Sequence, residues 1–350
     1  MATVVTFGEI MLRLSTPGFS RFRQATSFDA TYGGGEANVA TSLALFGHRA
    51  RFVCKLPTHA IGQRAVDQLR QYGVDTSHLV RGGDRVGIYF LETGASQRPS
   101  TVVYDRAHSA VSEMDAGEVD WDAALDGADW FHWTGITPAL GQKARRSVEA
   151  ACRAAKAAGA TVSCDLNFRS KLWTTEEAQA TMRPLMEHVD VCIANEEDAD
   201  RCLGVRTEGS GAEAADEAEL DEAGYARLAE KLKADFGFDA VAITLRESHS
   251  ASDNGWSAML LGGAGSAAPL QQATRSRVYD VRLVDRVGGG DSFAAGLIHG
   301  LLTKDDAEDA LNFAVAASAL KQTIPGDLNL SSAAEVEKLA QGSGSGRVER

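Results

Sequence analysis

The chain has 350 residues, 44% hydrophobic and 24% charged, which fits a globular protein with a sizeable core and excludes disorder as its main state. Lys and Arg number 35 against 48 Asp and Glu, for a net charge of −13. That balance excludes the broad basic footprint of a nucleic-acid or anionic-membrane binder, yet a few basic groups or helix N-termini can still hold a small anion. Cys54, Cys152, Cys164, Cys192 and Cys202 form no CxxC pair, so reduced, buried thiols are expected and a zinc site is not. The N-terminus has no signal-peptide pattern and no apolar run approaches ~18 residues. A cytoplasmic protein without membrane spans is therefore expected.

In chain order, the apolar, β-branched run 3–7 predicts a buried strand, and 11–14 a short strand with one wet face. A loop around Pro17 and Gly18 leads to an alternating strand at 28–32 that ends in three glycines. The apolar face of 36–46 predicts a helix stopped by Gly47, and 61–72 a helix stopped by Gly73. Between them 51–54 is a strand, and 86–91 and 101–104 are two more half-exposed strands. From here strand and helix alternate: strand 130–133, helix 143–158, strand 161–165, helix 175–188, strand 189–194, helix 196–203, helix 225–236 and strand 240–245. Residues 256–261 fit an antiparallel partner, and 291–302 and 307–320 are helices.

Alternating strands and helices predict an α/β core with a mostly parallel sheet, and the wetter early strands predict a small β appendage built from two separated segments. Residues 208–222 carry seven carboxylates and no basic residue, and read as an acidic insertion; the tail 342–350 reads as flexible.

Glycine is in excess, 35 against 7 prolines, and two clusters carry information. In 283–302, three glycines (288–290) precede Asp291 and an apolar helix. Glycines admit a ligand close to backbone N–H groups, and a helix N-terminus adds unpaired donors and positive potential, a combination suited to a phosphoryl group. Asp291 could take a proton from an attacking hydroxyl or simply cap the helix; the residue alone fits both. In 31–47 a strand ends in Gly33–Gly35 before a helix bearing Asn38, which fits contact with a hydroxylated ligand or a turn that needs positive φ. No GxxxxGK[ST] P-loop is present, and no dinucleotide fingerprint opens the first βα unit, which argues against a Rossmann dehydrogenase.

GGGEANVA followed much later by DRVGGGDSFAAG resembles the ribokinase-like (PfkB) carbohydrate kinases over roughly residues 1–330. Within that family GIYFLE, VVYDRAHSA, HWTGITPAL, SCDLNFRSKLW and ALKQTIPGDLNL are most similar to the 2-keto-3-deoxygluconate kinase branch. The resemblance implies a three-layer αβα doubly wound sheet with a β lid at about 9–32 and 84–106. It implies transfer of a phosphoryl group from ATP to the 6-hydroxyl of a keto-deoxy sugar acid, with Asp291 as general base and Gly288, Gly289 and Gly290 as the anion hole.

Gly34, Gly35, Asn38, Tyr89, Tyr104, Arg106, Arg169 and Asp327 would then bind the sugar acid. Asn167, Asn195, Thr244 and Arg246, with Gly288 and Gly290, would lie at the nucleotide, and Glu197 and Asp198 near Mg2+. A monovalent cation and a homo-oligomer formed through the lid are further implications. Arg106 and Arg169 offer planar forks suited to a carboxylate, which a neutral sugar would not need. A fructose- or ribose-type kinase of the same family and a non-catalytic sugar or nucleotide sensor are the competing readings. The sequence departs from the family in Arg286, in Gly289, in KLPTHAIG (55–62), in Asp198 at a usual Glu position, and in a 243–254 segment lacking the common glycines.

Overall fold

The computed structural model describes residues 1–207 and 221–342. The acidic segment 208–222 and the 342–350 tail thus lie almost wholly outside the described residues. Asp221 caps the helix Glu222–Phe236, its carboxylate accepting from Gly224 N–H at 3.0 Å.

The strands, in chain order, are β1 (Thr3–Phe7), β2 (Met11–Ser15), β3 (Asp29–Gly33), β4 (Arg49–Val53), β5 (Lys55–Leu56), β6 (Val80–Arg81), β7 (Ile88–Glu92), β8 (Thr101–Asp105), β9 (Trp130–Thr134), β10 (Thr161–Asp165), β11 (Val191–Ala194), β12 (Ala240–Ser248), β13 (Asp253–Gly262), β14 (Leu270–Arg275) and β15 (Tyr279–Arg282). The large sheet runs β14-β13-β12-β11-β10-β9-β1-β4, with β15 also on β13. From β4 to β12 its neighbours are parallel; β13 pairs antiparallel with β12, β14 and β15. β1 and β9 are buried along their whole length, as expected of parallel strands covered on both faces. The order reverses at β1, which pairs with β4 on one side and β9 on the other. Ligands of open α/β sheets bind beyond the carboxyl ends of the strands at such a point.

The expected α/β fold with a separate β appendage is what forms. Boundaries move where local chemistry moves them. The helix expected at 291–302 starts at Gly289, and that expected at 175–188 ends at Leu185, one residue after Pro184, with a 3-10 turn at Met186–His188. β14 and β15 were not expected: LQQATR lacks apolar alternation and YDVR alternates over only four residues, and pairing with β13 makes them strands. No helix among the described residues is long and apolar enough to cross a membrane.

The small sheet runs β3-β2-β7-β8. Its two faces differ. Leu12 stands opposite Ile88, Leu14 opposite Ala30 and Phe90, and Phe90 opposite Val103, which gives an apolar outer face. Val103 on that face is 49% exposed. The other face turns Arg13 and Tyr89 into the protein. The buried Arg13 guanidinium pairs with Asp285 and, through Nη1 at 2.6 Å, with Asp327. Tyr89 Oη donates to Asp327 Oδ2 at 2.5 Å. A buried pair stripped of one partner leaves an uncompensated charge. Arg13→Met should therefore lower stability by about 3–5 kcal/mol in urea unfolding. A loss within about 1 kcal/mol, the worth of a surface pair, would show that these charges do not hold the small sheet to the core.

Candidate active site

The helix Gly289–Thr303 begins in the second glycine cluster. Gly288 is its N-cap, at φ 82°, in the left-handed region, and a Cβ there would strike the Asp327 carbonyl. A Cβ on Gly290 would meet nothing within 4 Å, so this backbone is open to approach. Asp291 sits in the first turn but does not cap the helix, because no side chain caps it. Its Oδ2 instead accepts from Asn38 Nδ2 at 2.6 Å, while Asn38 Oδ1 accepts from Gly34 N–H at 3.3 Å. One amide thus joins the two glycine clusters through the carboxylate. Burial raises the Asp291 carboxyl to about 6, against the lowering effect of the Asn38 hydrogen bond.

Asn38 is placed by its helix, Gly35–Leu45, and that helix is placed by Glu36. The buried Glu36 carboxylate accepts from Thr134 N–H at 3.0 Å, Thr134 Oγ1 at 2.9 Å and Thr137 Oγ1 at 2.6 Å. Burial carries its pKa to about 7. A Cβ on Gly8 would collide with this carboxylate, which accounts for the glycine that ends the first strand motif. Gly35 packs on Thr134, and a Cβ there would lie 3.6 Å from Asp291 Oδ1.

A cleft of about 840 Å3 opens between the small sheet and the ends of the large-sheet strands, with Tyr104, Arg106, Arg169, Lys171 and Glu197 in its lining. Asp291 lies outside that lining, close enough to Arg169 for the guanidinium charge to favour its ionised form. Arg169 donates to Phe168 O at 2.9 Å and has no carboxylate partner among the described residues. Arg106 is already committed: with Ser109 Oγ, at 2.7 Å, it binds the buried Glu9 carboxylate. It also lies 5.4 Å from the centre of the Tyr104 ring. Tyr89 and Tyr104 are neighbours across β7 and β8. Asp327 is likewise engaged, by Arg13 and Tyr89, so it reaches the cleft region as part of a network rather than as a free carboxylate.

At the ends of β10 and β11 lies a second acidic group. Asp165 is raised well above its usual value, first by burial and then by Asp198 and Asp291. Asn167, two residues on, holds φ 41°, a left-handed backbone that Asn tolerates, and donates to Asp165 at 3.3 Å. Asp198 accepts from Phe168 N–H at 2.7 Å and from Asn195 N–H at 3.4 Å, while Asn195 caps the helix Glu196–Leu203 by accepting from Asp198 N–H at 2.7 Å. Thr244 Oγ1 reaches Ala194 O at 3.5 Å. No group of three His, Cys, Asp or Glu residues among the described ones is poised to hold a metal by itself.

Arg13, Glu9 and Lys321 were not singled out in the sequence, and Glu36 stood out only as part of the GGGEAN motif. Lys321 is 0% exposed, and its ammonium donates to the carbonyls of Asp285 at 3.0 Å and Ile324 at 3.3 Å, directly beneath Gly288. The signals existed: an Arg in the inward phase of MLRLS, and a lone Lys at the end of an Ala-rich helix. Each has an ordinary surface explanation in sequence alone.

Comparison with known proteins agrees with this geometry. The pfkB family carbohydrate kinase model matches residues 1–333. A 2-dehydro-3-deoxygalactonokinase of Haloferax volcanii is 34% identical over 347 residues, covering 99% of this chain and 98% of that one. A crystal structure of 2-dehydro-3-deoxygluconokinase from Thermotoga maritima is 52% identical, with a TM-score of 0.91 over 97% of this chain and 98% of that one. A ribokinase-type structure from E. coli, described with ATP and Mg2+, shares the fold at 20% identity, TM-score 0.76 and coverage of 97% and 99%. The chain belongs to the pfkB family of carbohydrate kinases.

Proposed function

We propose that this chain transfers the γ-phosphoryl group of ATP to the 6-hydroxyl of 2-keto-3-deoxygluconate. The observation that carries the reading is Asp291: a partly buried carboxylate aimed by Asn38, at the N-terminus of a glycine-led helix, within the field of Arg169, which has no ion-pair partner among the described residues. In this reading Asp291 takes the proton of the attacking hydroxyl. The Gly288–Gly290 turn then receives the charge that develops on the transferred group. Arg169 meets the carboxylate of the sugar acid, joined by the Arg106 Nη1 group that Glu9 leaves unused, with Tyr89, Tyr104, Gly34, Gly35 and Asp327 around its hydroxyls. The unpaired Arg169 favours an acidic substrate over fructose or ribose.

Asn167, Asn195, Thr244, Arg246 and the glycine turn face the nucleotide. Mg2+, arriving on the phosphates, would neutralise charge there. Its usual shell of waters and phosphate oxygens needs one or two carboxylates, and Glu197 and Asp198 suit that role better than a full protein cage. Segments 9–32 and 84–106 act as the lid that excludes water from the reaction. Five free, buried cysteines support a cytoplasmic setting.

Asp291→Asn should bind ATP as before but lose roughly 10²–10⁴-fold in turnover. Wild-type turnover should fall as pH drops through about 6, where the Asp291 carboxylate is protonated and no longer accepts a proton. A coupled assay over gluconate- and galactonate-derived keto-deoxy acids, with fructose and ribose as controls, tests the substrate class. Better turnover of a neutral sugar overturns it, and loss of neither rate nor pH limb in Asp291→Asn removes the base.

The apolar outer face of the small sheet supports a homodimer formed through the lid. Val103→Asp should then halve the particle mass in sedimentation, and a wild-type monomer at micromolar concentration would exclude the arrangement.

The implied monovalent cation meets a fixed one, since the Lys321 ammonium already stands against the Asp285 and Ile324 carbonyls. Turnover should be equal in potassium, sodium and choline chloride at one ionic strength. A strict potassium requirement would mean a cation site separate from Lys321.

A further inference from the structure

Arg286 interrupts the family pattern just ahead of the glycine turn, and nothing in the mechanism above uses it. It lies two residues before Gly288, half-buried, and its guanidinium makes one weak contact, to the Asn254 side chain at 3.5 Å. Turned about its amide axis, Asn254 accepts from the same nitrogen at 3.2 Å while its own NH2 meets Asp253 O. No carboxylate lies within ion-pair reach of Arg286 among the described residues.

Arg246 is its neighbour in charge. In the β12–β13 ladder Arg246 stands opposite Trp256, and Ser248 opposite Asn254, so all four side chains share one face with Thr244. Arg246 has neither a hydrogen bond nor an ion pair among the described residues. Glu196, in the first turn of the helix after β11, feels its charge from beyond ion-pair distance. The indole N–H of Trp256 is buried without an acceptor. This face therefore gathers two guanidiniums and an orphan indole donor, with no carboxylate in ion-pair contact with either guanidinium among the described residues. Burial and then the Arg246 charge pull the Arg286 guanidinium below its ordinary value, the sign of two cations held near each other. Like charges are costly to hold together unless an anion joins them. The face lies between the ends of β11 and β12 and the start of the Gly289–Thr303 helix.

We propose that Arg286 and Arg246 form a clamp for the polyphosphate of the nucleotide donor, with Arg286 a further substrate-binding residue of the kinase. The proposal rests on the nucleotide reading given above. Two planar forks supply the paired donors that phosphate oxygens accept from.

Calorimetry with MgATP and with tripolyphosphate, in the absence of sugar, tests the clamp apart from turnover. Arg286→Gln and Arg246→Gln should each weaken both ligands by about 10-fold or more, as expected for a charge-assisted hydrogen bond, and leave KM for the sugar acid within twofold. Tripolyphosphate should compete with MgATP. Arg286→Lys keeps the charge but not the fork, and should fall between wild type and Arg286→Gln; it also serves if the Gln variant does not fold. Unchanged affinity for both ligands in the substituted proteins overturns the proposal. So does tripolyphosphate that binds alongside MgATP, which would mark a separate anion site. If the wild type bound both ligands through Arg286 yet phosphorylated no sugar acid, the clamp would stand and the kinase reading would fall.

Discussion

The structure turns on a buried charge network beneath the glycine turn. Arg13, from the small sheet, is linked to Asp327, 314 residues later in the chain, and to Asp285 at the entrance of that turn. Lys321 adds a second cation and Tyr89 a hydroxyl. Asp285 also binds the N–H groups of Val287 and Gly326, each at 3.0 Å. Desolvating these groups is costly, and the network is tolerable only because each charge finds an opposite partner or carbonyls. What that cost secures is register: the small sheet, the turn before the Gly289–Thr303 helix and the loop 324–327 cannot shift separately without stranding a charge.

The same logic sets the chemistry. Asp291 is buried enough to be a stronger base than an ordinary carboxylate, but Asn38, Arg169 and Lys321 keep its charged form within reach near neutrality. Asp165 also has Arg169 and Asn167 to lower it, but the like charges of Asp198 and Asp291 add to its burial, and it is raised well above its usual value. Two carboxyl groups of one chain are thus shifted to different extents because their neighbours differ.

Much of this was legible in the sequence. The parallel strands announced themselves as apolar runs, and the two glycine clusters marked the places where backbone comes close to something else. Gly34 and Gly288 carry that meaning fully, since a Cβ on either would collide with the backbone carbonyl of Glu9 or Asp327. The fate of the charges was not legible. Nothing local distinguishes Arg13, which is buried and paired, from a solvated strand arginine, nor Lys321 from a cation at a helix C-terminus. Their partners lie far away in sequence, and only the packed fold reveals that no water is left for them. Tyr104 and Arg106 were legible as neighbours in one motif, and both line the cleft, whereas the hold of Glu9 on Arg106 depends on β1 ending beside the small sheet. β14 and β15 were hidden for a related reason: one is mostly polar and the other only four residues long, and it is pairing with β13 that completes them.

The five thiols give the fold a built-in reporter. All are free and buried, and burial pushes every one of them above the usual thiol range. A thiol that is neither ionised nor accessible is chemically silent toward alkylating reagents. Cys54 follows β4, Cys152 lies in the helix Gln142–Ala157, Cys164 and Cys192 lie in adjacent central strands, and Cys202 lies in the helix after β11. Labelling of each in turn would record the order in which the edge, the centre and the covering helices of the large sheet come apart.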